Sequence, residues 1–352
     1  SLTVIHVTSR QQVELMIPKI MFTGGGTAGH VYPAIAVWEQ LPSEMRANVS
    51  WIGSKNGIER SLVAKTGIRY HAIPTGKLRR YLAAENMADV FRVILGFFAA
   101  RRVMKRTHTS VVFSKGGFVA VPVVWAAASL GIPVLVHESD SDPGLATRIT
   151  APMATRILVA YDETVRHFRR TLWKRIETVG NPVRRSVTDS GSIDVLKRYG
   201  LSDNGLPVVL VFGGSLGAHQ LNAFVRAQIS DLTDAAVLIH QTGIADRDMI
   251  PAVSRKAHPG RYFGQPFFTD DFGAVLRRAD LAITRAGAGT IWELSATATP
   301  AILIPLGTQA SRGDQIRNAA RYAQVGAAEV IASDQATPES VGKLARTLLG
   351  NR

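Results

Sequence analysis

The chain has 352 residues, a net charge of +14 and no cysteine. That length favours two cores over one, because a single core stops growing near ~250–300 residues. A composition of 46% hydrophobic and 19% charged residues excludes a disordered chain, and the lack of cysteine excludes disulfides, thiolate nucleophiles and cysteine zinc sites.

Residues 1–15 have no cleavable apolar signal, and Met16 reads as a natural start, so 1–15 is set aside as a leader outside the fold. From there, apolar runs alternate with helical patterns. Ile17–Phe22, Val49–Ile52, Val111–Phe113, Ile132–Val136 and Arg156–Val159 predict strands, and their unbroken apolar character predicts a parallel sheet buried on both faces. Between them, Phe91, Ile94, Leu95 and Phe98 recur at i, i+3, i+4 and i+7, with Val93 and Phe97 widening the face and Arg92, Arg101, Arg102 and Lys105 flanking it. Surplus apolar bulk beside cations is the pattern of a helix that lies on an anionic bilayer. Gly116–Val136 carries no charge and has the length of a membrane span. Pro122, Gly131 and Pro133 divide it instead into a loop, a helix over Val121–Leu130 and a buried strand.

A second series follows: Val208–Phe212, Ala236–Gln241, Leu281–Thr284 and Ala301–Ile304. Strand–helix alternation gives an α/β class with right-handed crossovers. Ile-Met-Phe-Thr-Gly-Gly-Gly at 20–26 has a counterpart in Val-Leu-Val-Phe-Gly-Gly-Ser at 209–215. The expectation is two Rossmann-like doubly wound domains, 16–180 and 181–352, facing across a cleft, with Gly180-Asn181-Pro182-Val183-Arg184 as the hinge.

Three glycine loops end strands and open helices: Gly24–His30, Gly213–Gly217 and Arg285–Thr290. Glycines let backbone approach a phosphate, and the N–H groups of the next helix point at it. The first loop satisfies the dinucleotide spacing, but that site needs a carboxylate after the second strand, where Ile52-Gly53-Ser54-Lys55 offers a cation. A phosphate site without nicotinamide is therefore expected. His30 opens a helix whose dipole disfavours the imidazolium, so a neutral ring can act as general base. Arg184 with two helix starts can neutralise a diphosphate without metal, and Glu293, one turn into the helix after the third loop, can grip ribose hydroxyls. Asp140-Ser141-Asp142 and Asp246-Arg247-Asp248 have an Asp-x-Asp form, but nothing else supports a metal, and none is expected.

Taken together, Gly24–His30, Ile52–Glu59, Ser114–Phe118, His137–Asp140, Gly180–Arg184, Gly213–Ala218, Arg285–Glu293 and Asp314-Gln315 resemble, in order, the MurG family of UDP-N-acetylglucosamine transferases of peptidoglycan synthesis. The segments at 76–81 and 311–315 are similar to the Gram-positive version. The resemblance implies the two-domain GT-B arrangement and inverting transfer of N-acetylglucosamine from UDP-GlcNAc to the 4-hydroxyl of lipid I. It implies His30 as base with Glu138 or Asp140 as fallback. Thr27, Ala28, Gly29, Gly116, Gly117 and Asp140 would meet the acceptor and its diphosphate. Arg184, Ser215, Thr269, Ala288, Gly289, Thr290, Glu293, Asp314 and Gln315 would hold the donor. Phe91, Ile94, Phe97, Phe98, Arg101 and Arg102 would contact an anionic membrane at the cytoplasmic face, with other cell-wall synthesis proteins as possible partners, no nucleic acid and no cofactor. Asp140 and Asp314 stand where the family carries amides, and the family's last returning helix is expected to be missing before Arg352. Rival readings are a UDP-N-acetylglucosamine 2-epimerase, a non-catalytic nucleotide-sugar binding protein, and a nucleic-acid binder, which lacks an aromatic stacking platform.

Overall fold

The computed structural model describes residues 17–76, 85–189, 191, 193–214, 218–308 and 313–350, with backbone alone for 85–88. The leader 1–15 with Met16, the basic residues Lys77, Arg79 and Arg80, Tyr81, Ser190, Ser215–Gly217, and Ser311 and Arg312 lie outside the described residues. The boundary between two compact units falls at Pro182/Val183.

In the first unit, β1 (Ile20–Thr23), β2 (Val49–Ser54), β3 (Arg69–Ile73), β4 (Val111–Ser114), β5 (Val134–Glu138), β6 (Arg156–Val159) and β7 (Ile176–Thr178) form a sheet in the order β3-β2-β1-β4-β5-β6-β7. In the second, β8 (Val208–Phe212), β9 (Val237–Gln241), β10 (Tyr262–Gln265), β11 (Leu281–Thr284), β12 (Ala301–Leu303) and β13 (Ala328–Val330) run β10-β9-β8-β11-β12-β13. Every pairing is parallel. Both are Rossmann-like doubly wound sheets, whose strand order reverses between β1 and β4 and again between β8 and β11. The helices used below are α1 (Ala28–Gln40), α2 (Ile58–Ala64), α3 (Glu85–Thr107), α4 (Ala120–Ser129), α5 (His219–Ala235), α6 (Phe272–Arg278), α7 (Ala288–Thr297) and α8 (Asp314–Gln324).

The central strands are buried along their whole length because helices cover both faces. In β8, Val208, Leu210 and Phe212 enter one apolar cluster with Val237, Ile239 and Phe272, while Val209 and Val211 enter another with Phe224, Val225 and Ile229. In the first unit Met21 and Phe22 divide the same way, Phe22 packing with the fully buried Trp51 and with Phe113. The strands missing from the sequence reading are β3, β7, β10 and β13, which are the four sheet edges. Each is half-exposed, so none carries an apolar run.

The uncharged stretch 116–136 becomes α4, buried at Val121, Val123 and Val124, followed by β5. Among the described residues, no helix is long and apolar enough to cross a membrane.

Candidate active site

In open α/β sheets, ligands bind beyond the carboxyl ends of the strands at the switch point. In the first unit that point lies between β1 and β4, where Thr23 pairs with Ser114. The loop after β1 and the loop after β4 are thereby neighbours, although about ninety positions separate them. Their contact is tight: a Cβ on Gly117 would sit 2.2 Å from Gly25 O, and Gly117 has φ +78°. Only glycine tolerates both the approach and the left-handed backbone. Gly116 lies beside the imidazole, since a Cβ there would be 3.8 Å from His30 Cδ2.

His30 occupies the first turn of α1. Its Nδ1 lies 3.0 Å from Thr27 Oγ1, so the N-cap hydroxyl bonds the ring instead of capping the helix. The first turn of α1 holds no acidic side chain, which leaves the helix start positive. Beneath the loop is a carboxylate to which the sequence reading gives no role. Glu59, at the start of α2, is fully buried and accepts from Ser54 N at 2.9 Å, from Gly26 N at 3.2 Å and from Ser54 Oγ. A Cβ on Gly25 would lie 2.6 Å from its carboxyl carbon, so glycine is required where the carboxylate crosses the turn.

Glu138 ends β5. Its two oxygens accept from Asp140 N at 3.1 Å and Gly144 N at 3.0 Å, which fastens the loop that carries Asp140. Next to it, Lys115 is buried with His137, Ser139 and Asn181 around its ammonium.

In the second unit the switch point brings Gly213-Gly214 beside Arg285–Gly289, because Phe212 pairs with Thr284. Arg184 reaches Glu293 on α7, with Nε at 2.9 Å and Nη2 at 2.8 Å from Oε1. The guanidinium also lies 5.4 Å from the Phe272 ring centre. Ala288, Gly289 and Thr290 form the first turn of α7, which no side chain caps. Gln315, in the first turn of α8, accepts from Leu306 N at 3.0 Å, and Gln315 N donates to Asp314 Oδ1 at 3.0 Å. Thr269 is exposed in the turn before α6, where its carbonyl accepts from Phe272 N.

Both halves match a family description. Residues 20–159 match the glycosyltransferase family 28 N-terminal domain and residues 208–352 its C-terminal domain. A Treponema denticola protein named UDP-N-acetylglucosamine–N-acetylmuramyl-(pentapeptide) pyrophosphoryl-undecaprenol N-acetylglucosamine transferase is 39% identical, covering 94% of this chain and 88% of that protein. The chain belongs to glycosyltransferase family 28, in its MurG branch. The crystal structure of Acinetobacter baumannii MurG has a TM-score of 0.68 at 29% identity, covering 95% of this chain and 93% of that one. A UDP-GlcNAc 2-epimerase of Neisseria meningitidis, bound to UDP-GlcNAc, has a TM-score of 0.63 at 10% identity over 94% of this chain and 91% of that one, a likeness of fold alone.

This family 28 chain places its predicted acceptor-side residues Thr27, Ala28, Gly29, His30, Gly116, Gly117, Glu138 and Asp140 at one sheet edge. Arg184, Thr269, Ala288, Gly289, Thr290, Glu293, Asp314 and Gln315 likewise belong to the second unit, on its strand-end loops and adjoining helix starts. Ser215 lies outside the described residues. The membrane-facing set divides. Phe91, Ile94, Leu95 and Phe98 are 47–63% exposed. Val93 is buried and Phe97 packs against the core, so neither widens the exposed face. Arg101 does not flank it either: its Nη1 bonds Ser129 O at 3.2 Å and Ser129 Oγ at 2.6 Å on α4. Gln241 was also missed. Buried at the end of β9, it donates to Gly213 O at 3.3 Å and accepts from Phe268 N at 3.0 Å, tying the second glycine loop to the turn of Thr269.

The Asp-x-Asp pairs have other partners. Asp142 pairs with Arg148, and Asp246 accepts from Asn222 and His219. Among the described residues no cluster of three or more His, Asp or Glu side chains could hold a metal ion. A cavity of about 700 Å³ lies at the opposite, amino edge of the first sheet, lined by Lys19, Arg46, Arg69 and Arg106.

Proposed function

We infer that the chain transfers N-acetylglucosamine from UDP-GlcNAc to the 4-hydroxyl of lipid I, giving lipid II and UDP with inversion. The observation that carries this reading is 39% identity, across nearly the whole of both chains, to transferases that bear this activity in their names. The chemistry of the two switch points supports it. His30 takes the proton from the attacking hydroxyl, with Glu138 or Asp140 as the alternative base. Thr27, Ala28, Gly29, Gly116 and Gly117 receive the acceptor diphosphate, since glycine backbone and an uncapped helix start suit an anion. Arg184 and the start of α7 stabilise the UDP leaving group; Arg184 is already oriented by Glu293 and Phe272, and preorganised charge is where electrostatic catalysis gains most. Glu293 and Gln315 take donor hydroxyls, Thr269 the uracil, and Ser215 and Asp314 complete the donor contacts.

The exposed face of α3 binds an anionic membrane surface, which places the enzyme peripherally at the cytoplasmic face of the plasma membrane. No resident metal or other cofactor takes part. The test is a radiolabelled transfer assay with UDP-GlcNAc and a short-chain lipid I analogue, with and without chelator. A β-1,4-linked product formed equally in both arms is expected. Epimerised donor without acceptor, or UDP-sugar binding without product, would overturn the reading.

A further inference from the structure

The first unit contains a buried cation that the transfer chemistry above does not use. Lys115 follows β4, and its backbone N–H donates to Thr23 O at 2.9 Å, which places it directly under the Gly24 turn. Its ammonium faces three acceptors: His137 Nδ1 at 2.6 Å, Ser139 Oγ, and Asn181 Oδ1 at 3.4 Å. An ammonium only donates, so His137 Nδ1 must accept. The ring proton is then on Nε2, which donates to Gly180 O at 2.8 Å. Ser139 accepts from the lysine and donates its own hydroxyl hydrogen bond to Asn181 Oδ1 at 2.6 Å. Asn181 is buried and its Nδ2 has no partner among the described residues. Among the described residues, the side chains of Lys115 and Ser139 therefore orient the amide.

We propose that Lys115 is a positioning residue for the transfer reaction: one buried ammonium locks the glycine turn at 116–117, the His137–Asp140 loop and the exit segment Gly180–Asn181 into a single unit. The proposal rests on the transfer reading. Gly116 and Gly117 are the next residues in the chain, Glu138 and Asp140 flank His137 and Ser139, and a rigid first layer needs such a support. The count of protons makes the lock sensitive to pH. Three acceptors match the three N–H donors of the ammonium, whereas a neutral amine has two and turns a lone pair toward the third. Burial pushes this lysine down to about 8, with the Glu138 and Asp140 carboxylates pulling it back up. His137, facing it from β5, is held well below its ordinary value by burial and by the lysine, so it stays neutral.

The experiment compares wild type, Lys115→Met and Lys115→Arg in the transfer assay between pH 6 and 10, and follows the ring nitrogens of His137 by ¹⁵N NMR in wild type. Wild-type kcat is expected to fall as pH rises through about 8. Lys115→Met should lose roughly ten- to a hundred-fold in kcat, with the donor KM within about two-fold, and should lack that alkaline limb. Lys115→Arg should recover part of kcat and hold it above pH 9. The wild-type His137 Nδ1 signal should shift near pH 8, a readout independent of how any variant folds. An unchanged pH profile in Lys115→Met, or no Nδ1 inflection between pH 7 and 9, overturns the proposal. A wild type that makes no product overturns the transfer reading instead.

Discussion

His30 sits where a helix start, a hydroxyl and two glycine turns meet, and its Nδ1 is already engaged by Thr27 at 3.0 Å. With Nδ1 donating to Thr27 Oγ1, the tautomer that suits a base carries its lone pair on Nε2. His30→Ala should lower kcat by about 10²–10⁴-fold, the ordinary worth of a general base, while UDP affinity in the second unit stays unchanged. Near wild-type turnover would remove His30 from that role. Glu59 tests the loop rather than the chemistry. It accepts from Gly26 N and from both Ser54 donors. Glu59→Gln puts an amide N–H₂ opposite one of them and leaves a buried donor unmatched, at a cost of about 1–3 kcal/mol. A fall of a few degrees in the first unit's melting transition is expected. An unchanged transition would show that the carboxylate does not hold the turn. The role of Glu59 was not readable beforehand, because its partners depend on β1 and α2 meeting, and spacing alone points to Lys55.

Helix α3 shows how two apolar stripes share one element. Val93, Gly96, Ala100 and Met104 recur at i, i+3, i+7 and i+11 and are buried; Gly96 is required because a Cβ there would lie 2.3 Å from Pro74 O. Phe91, Ile94, Leu95 and Phe98 are left on the opposite side, with Val90 beside them. The periodicity was legible in the sequence. The outward stripe was legible in its surplus bulk and flanking cations; that Val93 and Phe97 turn to the core was not, because both stripes have helical spacing and only the sheet's position sets their limits. Replacing Phe91, Leu95 and Phe98 together with Ser should weaken co-sedimentation with anionic vesicles by at least about ten-fold, while melting changes little because these side chains are already exposed. Each buried CH₂ is worth about 0.8 kcal/mol in a membrane interface. Equal sedimentation of both proteins would remove this face from membrane contact.

At the scale of the whole molecule, each unit keeps a neutral histidine in its sheet. His240 on β9 is pushed down to about 3 by burial, against a small upward pull from Asp246, and bonds Asn222 Oδ1 at 3.0 Å. His137 is also held well below its ordinary value, chiefly by burial. Unfolded histidine binds its proton near ~6.5, so below that pH the unfolded chain takes up protons that the folded chain refuses. Stability from these groups is therefore present at neutral pH and declines as pH falls from about 6.5 toward 3. Thermal melts at pH 7 and pH 5 should show this loss, and His240→Gln should lose less of its melting temperature over that interval than wild type. An equal loss in both proteins would assign the acid sensitivity to other groups.

The sequence by itself determined the α/β class, the central strands and the glycine loops at their ends. Continuous apolar runs and φ-permissive residues are local signals, set by burial on both faces and by backbone geometry. The edge strands β3, β7, β10 and β13 were not legible, since a half-buried strand carries no apolar run. Only the tertiary structure decided that Gly117 touches Gly25, that Arg184 meets Glu293 across 109 positions, and that Lys115, His137, Ser139 and Asn181 share one network. The first follows from parallel pairing at a switch point and the others from the packing of loops and helices beyond the strand ends, and no local pattern along the chain encodes them.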